Sequence, residues 1–176
     1  MVELHVPIRY VPKKLTETDK RKQTRMLLKS RRLYKQNKYY TRKKVASFQS
    51  SPSAHSANAR KIYKIESIVP GQALSRATGC SVAALRKIVK KGEGAYFSSG
   101  SRPNQTAQSW GLARLASSIT AGKAAAVDYD ILEQGCNHNK KAFILARKSR
   151  RKYKYGHRAT GSFDLRPGAK SKTKKV

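Results

Sequence analysis

The sequence predicts a predominantly helical α+β fold: a small single domain with two or three short strands, a basic N-terminal helical arm and a basic C-terminal tail. Three observations carry that expectation. The chain has 176 residues, the size of one modest domain. Its apolar residues recur at helical spacing between recognisable caps through the middle of the chain. Its charge is large and unevenly spread, with 40 Lys and Arg against 9 Asp and Glu, a formal net charge of +31. Residues 1–65 hold 18 basic and 3 acidic side chains, 66–140 hold 9 and 5, and 141–176 hold 13 and 1. A near-balanced body between two polycations follows: an arm over 1–59 with one long helix and a Ser-rich hinge, a core over 60–150, and a flexible tail over 151–176.

The lead HVPIRYVP reads as extended. Thr16 or Thr18 then caps a helix running to about Gln36, with Glu17 and Asp19 in the first turn, where the helix dipole favours negative charge. Met26, Leu27, Leu33 and Tyr34 form only a narrow stripe on it, so its other faces stay in solvent. Residues 37–59, with serines gathered around Pro52, read as a loop or hinge that opens a short helix. RKIYKIESIV, over 60–69, has the β-branched and aromatic density of a strand, ended by Pro70-Gly71.

From Gln72 the period becomes helical. Leu74 and Ala77 share one face, Gly79 ends that helix, and Ser81 caps the next, which turns Val82, Leu85, Ile88 and Val89 inward. The tight Thr78-Gly79-Cys80 turn makes 72–91 a helix-turn-helix candidate, with Arg86, Lys87, Lys90 and Lys91 as its phosphate or base contacts. Against it, compact helical proteins contain many such corners, and Thr78 is polar where a repressor motif packs an apolar residue.

The segment GEGAYFSSGSRP, over 92–103, permits backbone N–H groups to converge on an anion around Ser99, Gly100, Ser101 and Arg102. It lacks the spacing of a P-loop or a dinucleotide loop. The competing reading makes Ala95-Tyr96-Phe97 a short strand beside 60–69, with the glycines serving turns. A helix follows with Leu112, Leu115, Ala116 and Ile119 inward, Trp110 as a core anchor and Gly122 as its stop. Another runs from about Ala124 to Gln134, with Val127 and Ile131 inward and Gly135 as its cap. Asn139 caps the last, with Ala142, Leu145, Ala146 and Ser149 inward, before the chain becomes KSRRKYKYGHR and then a tail ending KSKTKK.

Catalysis finds no constellation. Asp128 and Asp130 diverge on a helix, no Ser-His-Asp pattern can be linked, and the acids serve to neutralise bases, with Arg114 placed to close on Glu93, Asp128 or a phosphate. Cys80 and Cys136 read as reduced, buried thiols, with a disulfide between them as the less favoured alternative, and Cys136 with His138 gives only two metal ligands, so neither zinc nor any other cofactor is expected. The N-terminus has no secretory apolar region, and no run of 18 apolar residues predicts membrane insertion.

The run ALRKIVKKGEGAYFSSGSRPNQTAQSWGLARLASSITAGKAAAVDYDILEQGC, with RKIYKI and SRRLYKQNKYYTRKK upstream, resembles a basic family of unknown function from large double-stranded DNA viruses of algae and amoebae. The resemblance covers about residues 31–136 and rests on GAYFSSGSRP and SWGLARLAS. It implies a virion setting, in a minor capsid protein or a core protein against the packaged genome, in particles assembled in a cytoplasmic virus factory or the nucleus. It supplies no active site to carry over.

The expected function is therefore that of a non-enzymatic virion structural protein without a small-molecule substrate. Its partners are double-stranded DNA or another nucleic acid, acidic capsid proteins, or both, held electrostatically. Candidate contacts are Arg42, Lys43, Lys44, Arg86, Lys87, Lys90, Lys91, Ser99, Gly100, Ser101, Arg102, Arg150, Arg151, Lys152 and Lys154. The alternative is a sequence-specific DNA-binding regulator that uses the 72–91 corner.

Overall fold

Capping and helical periodicity decide most of the architecture. The computed structural model describes residues 5–154 and 162–165, so the expectations for Tyr155 and the lysine-rich end fall outside the described residues. The chain forms two compact units: one holds residues up to Ser50 with Gly94–Ala107 and the C-terminal strand, the other Ser51–Glu93 with Gln108–Arg158.

In the first unit, β1 (His5–Pro7) pairs antiparallel with β2 (Ser162–Asp164), Val6 lying opposite Phe163. Helix α1 (Glu17–Tyr34) starts at Thr16, whose hydroxyl accepts the Asp19 N–H at 3.3 Å as its position predicts. Met26 and Leu27 of the apolar stripe of α1 are buried, as are Val6, Tyr10, Val11, Leu15, Val45 and Tyr96 of the same unit. Residues 38–45 have no regular structure, yet they are pinned. Asn104, in the left-handed region at φ 60°, accepts the Val45 N–H at 2.8 Å and donates to the carbonyls of Val45 (3.0 Å) and Phe48 (2.6 Å). Asp19 accepts from the backbone N–H (2.8 Å) and hydroxyl (2.6 Å) of Ser47, and these bonds hold its carboxyl below the ordinary value. The basic N-terminal segment thus shares one compact unit with 94–107.

Arg42 is the extreme case of that folding. Its guanidinium is buried, donating to the Ser30 hydroxyl (3.0 Å), the Tyr96 carbonyl (2.9 Å) and the Ser101 hydroxyl (2.8 Å), and lies 3.7 Å from the centroid of the Tyr96 ring. Burial pulls it below the ordinary arginine range, and the neighbouring tyrosines oppose that shift.

The second unit is helical: α2 (Ala54–Tyr63), α3 (Gln72–Thr78), α4 (Val82–Ser98, as far as Glu93 in this unit), α5 (Ala107–Ser118), α6 (Lys123–Val127), α7 (Tyr129–Gly135) and α8 (Lys141–Tyr153). Its core gathers Ala59, Tyr63, Ile68, Leu74, Leu85, Ile88, Leu115, Ile119, Leu132, Phe143 and Ala146. Four expectations are corrected here. The stretch 60–69 is no strand: Ala59, Ile62 and Tyr63 fall at i, i+3 and i+4 of α2, which ends at Lys64 in the left-handed region (φ 53°). Gly92 and Gly94 belong to α4 and make no turn, because Gly92 packs on α5: a Cβ there would come within 2.7 Å of Gly111 Cα, and one on Gly111 within 2.7 Å of the Val89 carbonyl oxygen. The helix expected over 124–134 breaks at Asp128 into α6 and α7, with Leu132 fully buried while Val127 and Ile131 are half-buried.

The fourth correction concerns the cysteines. Cys80 and Cys136 form a disulfide across an isolated antiparallel bridge, in which Ser81 N–H donates to Gly135 (2.7 Å) and Asn137 N–H to Gly79 (2.8 Å). Burial was anticipated correctly, whereas pairing depends on a chain reversal that sequence spacing does not display.

Two stability measurements follow. Arg42→Ala strands three buried acceptors and leaves a cavity, and should cost about 3 kcal/mol in urea unfolding; an unchanged midpoint would mean the guanidinium network contributes nothing. The disulfide closes a loop with sequence separation 56, so dithiothreitol should lower stability by roughly 2–4 kcal/mol. A Cys80→Ser, Cys136→Ser variant should match the reduced protein and ignore the reductant.

Candidate nucleic-acid interface

Helix α4 presents one face to the core and the opposite face to solvent. Leu85 and Ile88 are fully buried, while Arg86, Lys87, Lys90 and Lys91, at i, i+1, i+4 and i+5, lie exposed on the other side. Among the described residues Arg86, Lys87 and Lys90 make no ion pair; Lys91 does. Its ammonium reaches Asp128 Oδ1 at 2.9 Å, a contact that commits it to the fold.

Asp128 sits at the floor of a cleft lined also by Lys87, Lys90, Lys91, Val127, Asp130 and Ile131. Its side chain is wholly buried and accepts a bidentate pair from Arg114 (Nε to Oδ2 2.8 Å, Nη2 to Oδ1 2.7 Å) and a bond from the Ser118 hydroxyl (3.1 Å). Burial alone would push the carboxyl up, but the hydrogen bonds and charges of Arg114 and Lys91 outweigh it and hold the carboxyl below its ordinary value. Asp128 therefore stays ionised and occupied, and Asp130 lines the same cleft as an exposed residue. Arg114 closes on Asp128, one of the partners its position allowed.

Residues 7–140 match the model of a family described as a family of unknown function (DUF5824). The chain belongs to that family. No curated protein and no solved structure matches it.

The DUF5824 chain distributes its predicted contacts unevenly. In the first unit, Arg42 and Ser101 come together, but as an interior hydrogen bond, so neither can meet a phosphate. Gly100, at φ 116°, is buried against Leu27 and Tyr10, and the Ser99 carbonyl accepts two bonds from Arg31 (3.2 and 3.0 Å). The nest expected over 99–102 is closed because the Ser99 and Gly100 N–H groups both donate to the Ala95 carbonyl (2.9 Å each), while Arg102, Lys43 and Lys44 remain exposed at the surface. In the second unit Arg150 is half-buried, donating to the Ala126 carbonyl (3.1 Å) and lying over the Tyr129 ring, whereas Arg151, Lys152 and Lys154 are exposed. Sequence reasoning missed the interior role of Arg42, for which a lone arginine in a basic run gives no signal. Among the described residues no group of three or more His, Cys, Asp or Glu could hold a metal ion, and no helix is long and apolar enough to cross a membrane.

The Asp128 cluster fixes a pH dependence. Its folded pKa is depressed, so its contribution is present above the ordinary carboxylate pKa and is lost as pH falls through the folded value. Asp128→Asn should cost about 3 kcal/mol at pH 7 by leaving Arg114 unpaired. The gap to the parent protein should shrink steadily below about pH 4; a gap independent of pH would show that charge is not what Asp128 supplies.

Proposed function

We propose that this DUF5824 chain is a non-enzymatic, DNA-binding structural protein of a large-virus virion, holding polyphosphate through exposed lysine and arginine. The single observation that carries this reading is the outer face of α4, where Arg86, Lys87 and Lys90 stand exposed on a helix whose other side is bolted into the core. Rigidly mounted cations displace condensed counterions from a nucleic acid without first paying to order a loop. A formal charge of +31 supplies the long-range attraction. The viral setting is supported by the resemblance of residues 31–136 alone, and the non-catalytic role by the full engagement of Asp128 with Arg114, Lys91 and Ser118.

Binding of a random-sequence DNA duplex should weaken steeply with salt, with log K falling against log salt at a slope of at least about −3. Lys87→Ala with Lys90→Ala should reduce that slope by about 2 without lowering the urea midpoint. In competition, no natural sequence should be preferred over random duplex by as much as a hundredfold, since regulators exceed about a thousandfold. Affinity that ignores salt would sink the proposal, and a thousandfold preference would make the chain a regulator instead.

A further inference from the structure

We infer that the polyanion is B-form duplex DNA and that α4 enters its major groove as the second helix of a helix-turn-helix. The inference rests on the DNA-binding reading above and adds the groove, the element and the base contact.

Three observations place the corner. First, α3 and α4 are joined by only Gly79, Cys80 and Ser81, with Gly79 in the left-handed region at φ 76° and its α-carbon packed so closely on Lys140 that a Cβ would fall 2.5 Å from that side chain. Second, the polar residue that weighs against the motif is accommodated: Thr78 is fully buried, its hydroxyl donating to the Leu74 carbonyl (2.7 Å) and accepting the Cys80 N–H (3.2 Å). Leu74, Thr78, Cys80, Leu85 and Ile88 then form the continuous inner side that such a corner needs. Third, the outer side begins at the very start of α4. Ser81, which caps the helix by accepting the Ala84 N–H (3.2 Å), and Ala83 are small and exposed, and Arg86 follows one turn on, with Lys87 and Lys90 beyond.

Small residues at the leading end let the backbone approach base edges, and an alanine methyl can meet a thymine methyl. Arg86 carries the bidentate donor fork that matches guanine O6 and N7, while Lys87 and Lys90 reach phosphates. An α-helix fits the B-form major groove, about 12 Å wide, but not the deep, narrow major groove of A-form RNA.

The test uses the full chain and three probes of one sequence, about 20 base pairs long: duplex DNA, duplex RNA, and duplex DNA with 7-deazaguanine replacing guanine. Fluorescence anisotropy should give tighter binding to DNA than to RNA by about tenfold or more at equal salt, and a loss of about fivefold or more on 7-deazaguanine substitution. R86A should abolish the 7-deazaguanine penalty with its urea midpoint intact, whereas K87A with K90A should weaken DNA and RNA alike. Equal affinity for DNA and RNA, or a 7-deazaguanine penalty that survives R86A, overturns the groove inference and leaves the electrostatic reading standing. Absence of salt-sensitive binding to any of the probes removes both.

Discussion

A carboxylate with no exposed surface keeps its charge only if donors replace the water it has lost, and Asp128 is surrounded on those terms. It draws Arg114 and Ser118 of α5 and Lys91 of α4 onto the break between α6 and α7. Three stretches of chain are thereby referred to one point. The close Gly92 to Gly111 approach lies beside that point, since Gly92 follows Lys91 and its missing Cβ would also crowd the Arg114 side chain at 3.2 Å. Without the glycines α4 and α5 could not come near enough for both cations to reach one acid. Backbone closeness and charge pairing are therefore one constraint, and the orientation of the outer face of α4 is a consequence of it.

The first unit solves the converse problem. Arg42 is a buried cation held by neutral oxygens and the Tyr96 ring instead of by a carboxylate, and among the described residues no buried side-chain nitrogen or oxygen lacks a hydrogen-bond partner. Desolvating a guanidinium this way is costly, but a guanidinium is more weakly hydrated than an ammonium, and its planar fork can satisfy several acceptors at once. The result is that an irregular, strongly basic stretch acquires a fixed course. Charge in this chain does not simply mark the surface.

What could be read from the sequence was what local chemistry decides. Thr16 with Asp19, and Ser81 with Ala84, form caps at the anticipated positions because a cap needs only a hydroxyl and the next turn of the same helix. Gly79 closes α3 for an equally local reason. Most of the failures involve long-range partners, though 60–69 and the cap expected at Asn139 fail locally, the last helix starting instead from Lys140 with no side-chain cap. The β-branched density of 60–69 suggested a strand, but the Ala-rich residues before it and the spacing of Ala59, Ile62 and Tyr63 gave the first half of the segment to a helix. Gly92 looked like a turn residue because nothing nearby reveals that Gly111 is its neighbour. Arg42 and Ser101 read locally as anion contacts because the partner each finds in the other lies 59 positions away along the chain. The Cys80–Cys136 bond has the same character.

Once Lys91 is assigned to Asp128, the remaining cations of α4 have no evident use within the fold. Arg86 and Lys90 stand four residues apart on one face with Lys87 between them, an arrangement of like charges that disfavours an isolated helix. A chain at +31 already repels itself, so each uncompensated charge adds to the cost of the free state. Burial of Leu85 and Ile88 on the opposite side holds the helix in place despite that cost. The same repulsion reverses sign against a row of phosphates, where each cation gains a counter-charge and releases condensed ions. On the proposed reading, the outer face of α4 is thus a cost to the free protein that an external polyanion would offset, while Leu85 and Ile88 carry the helix from the opposite side.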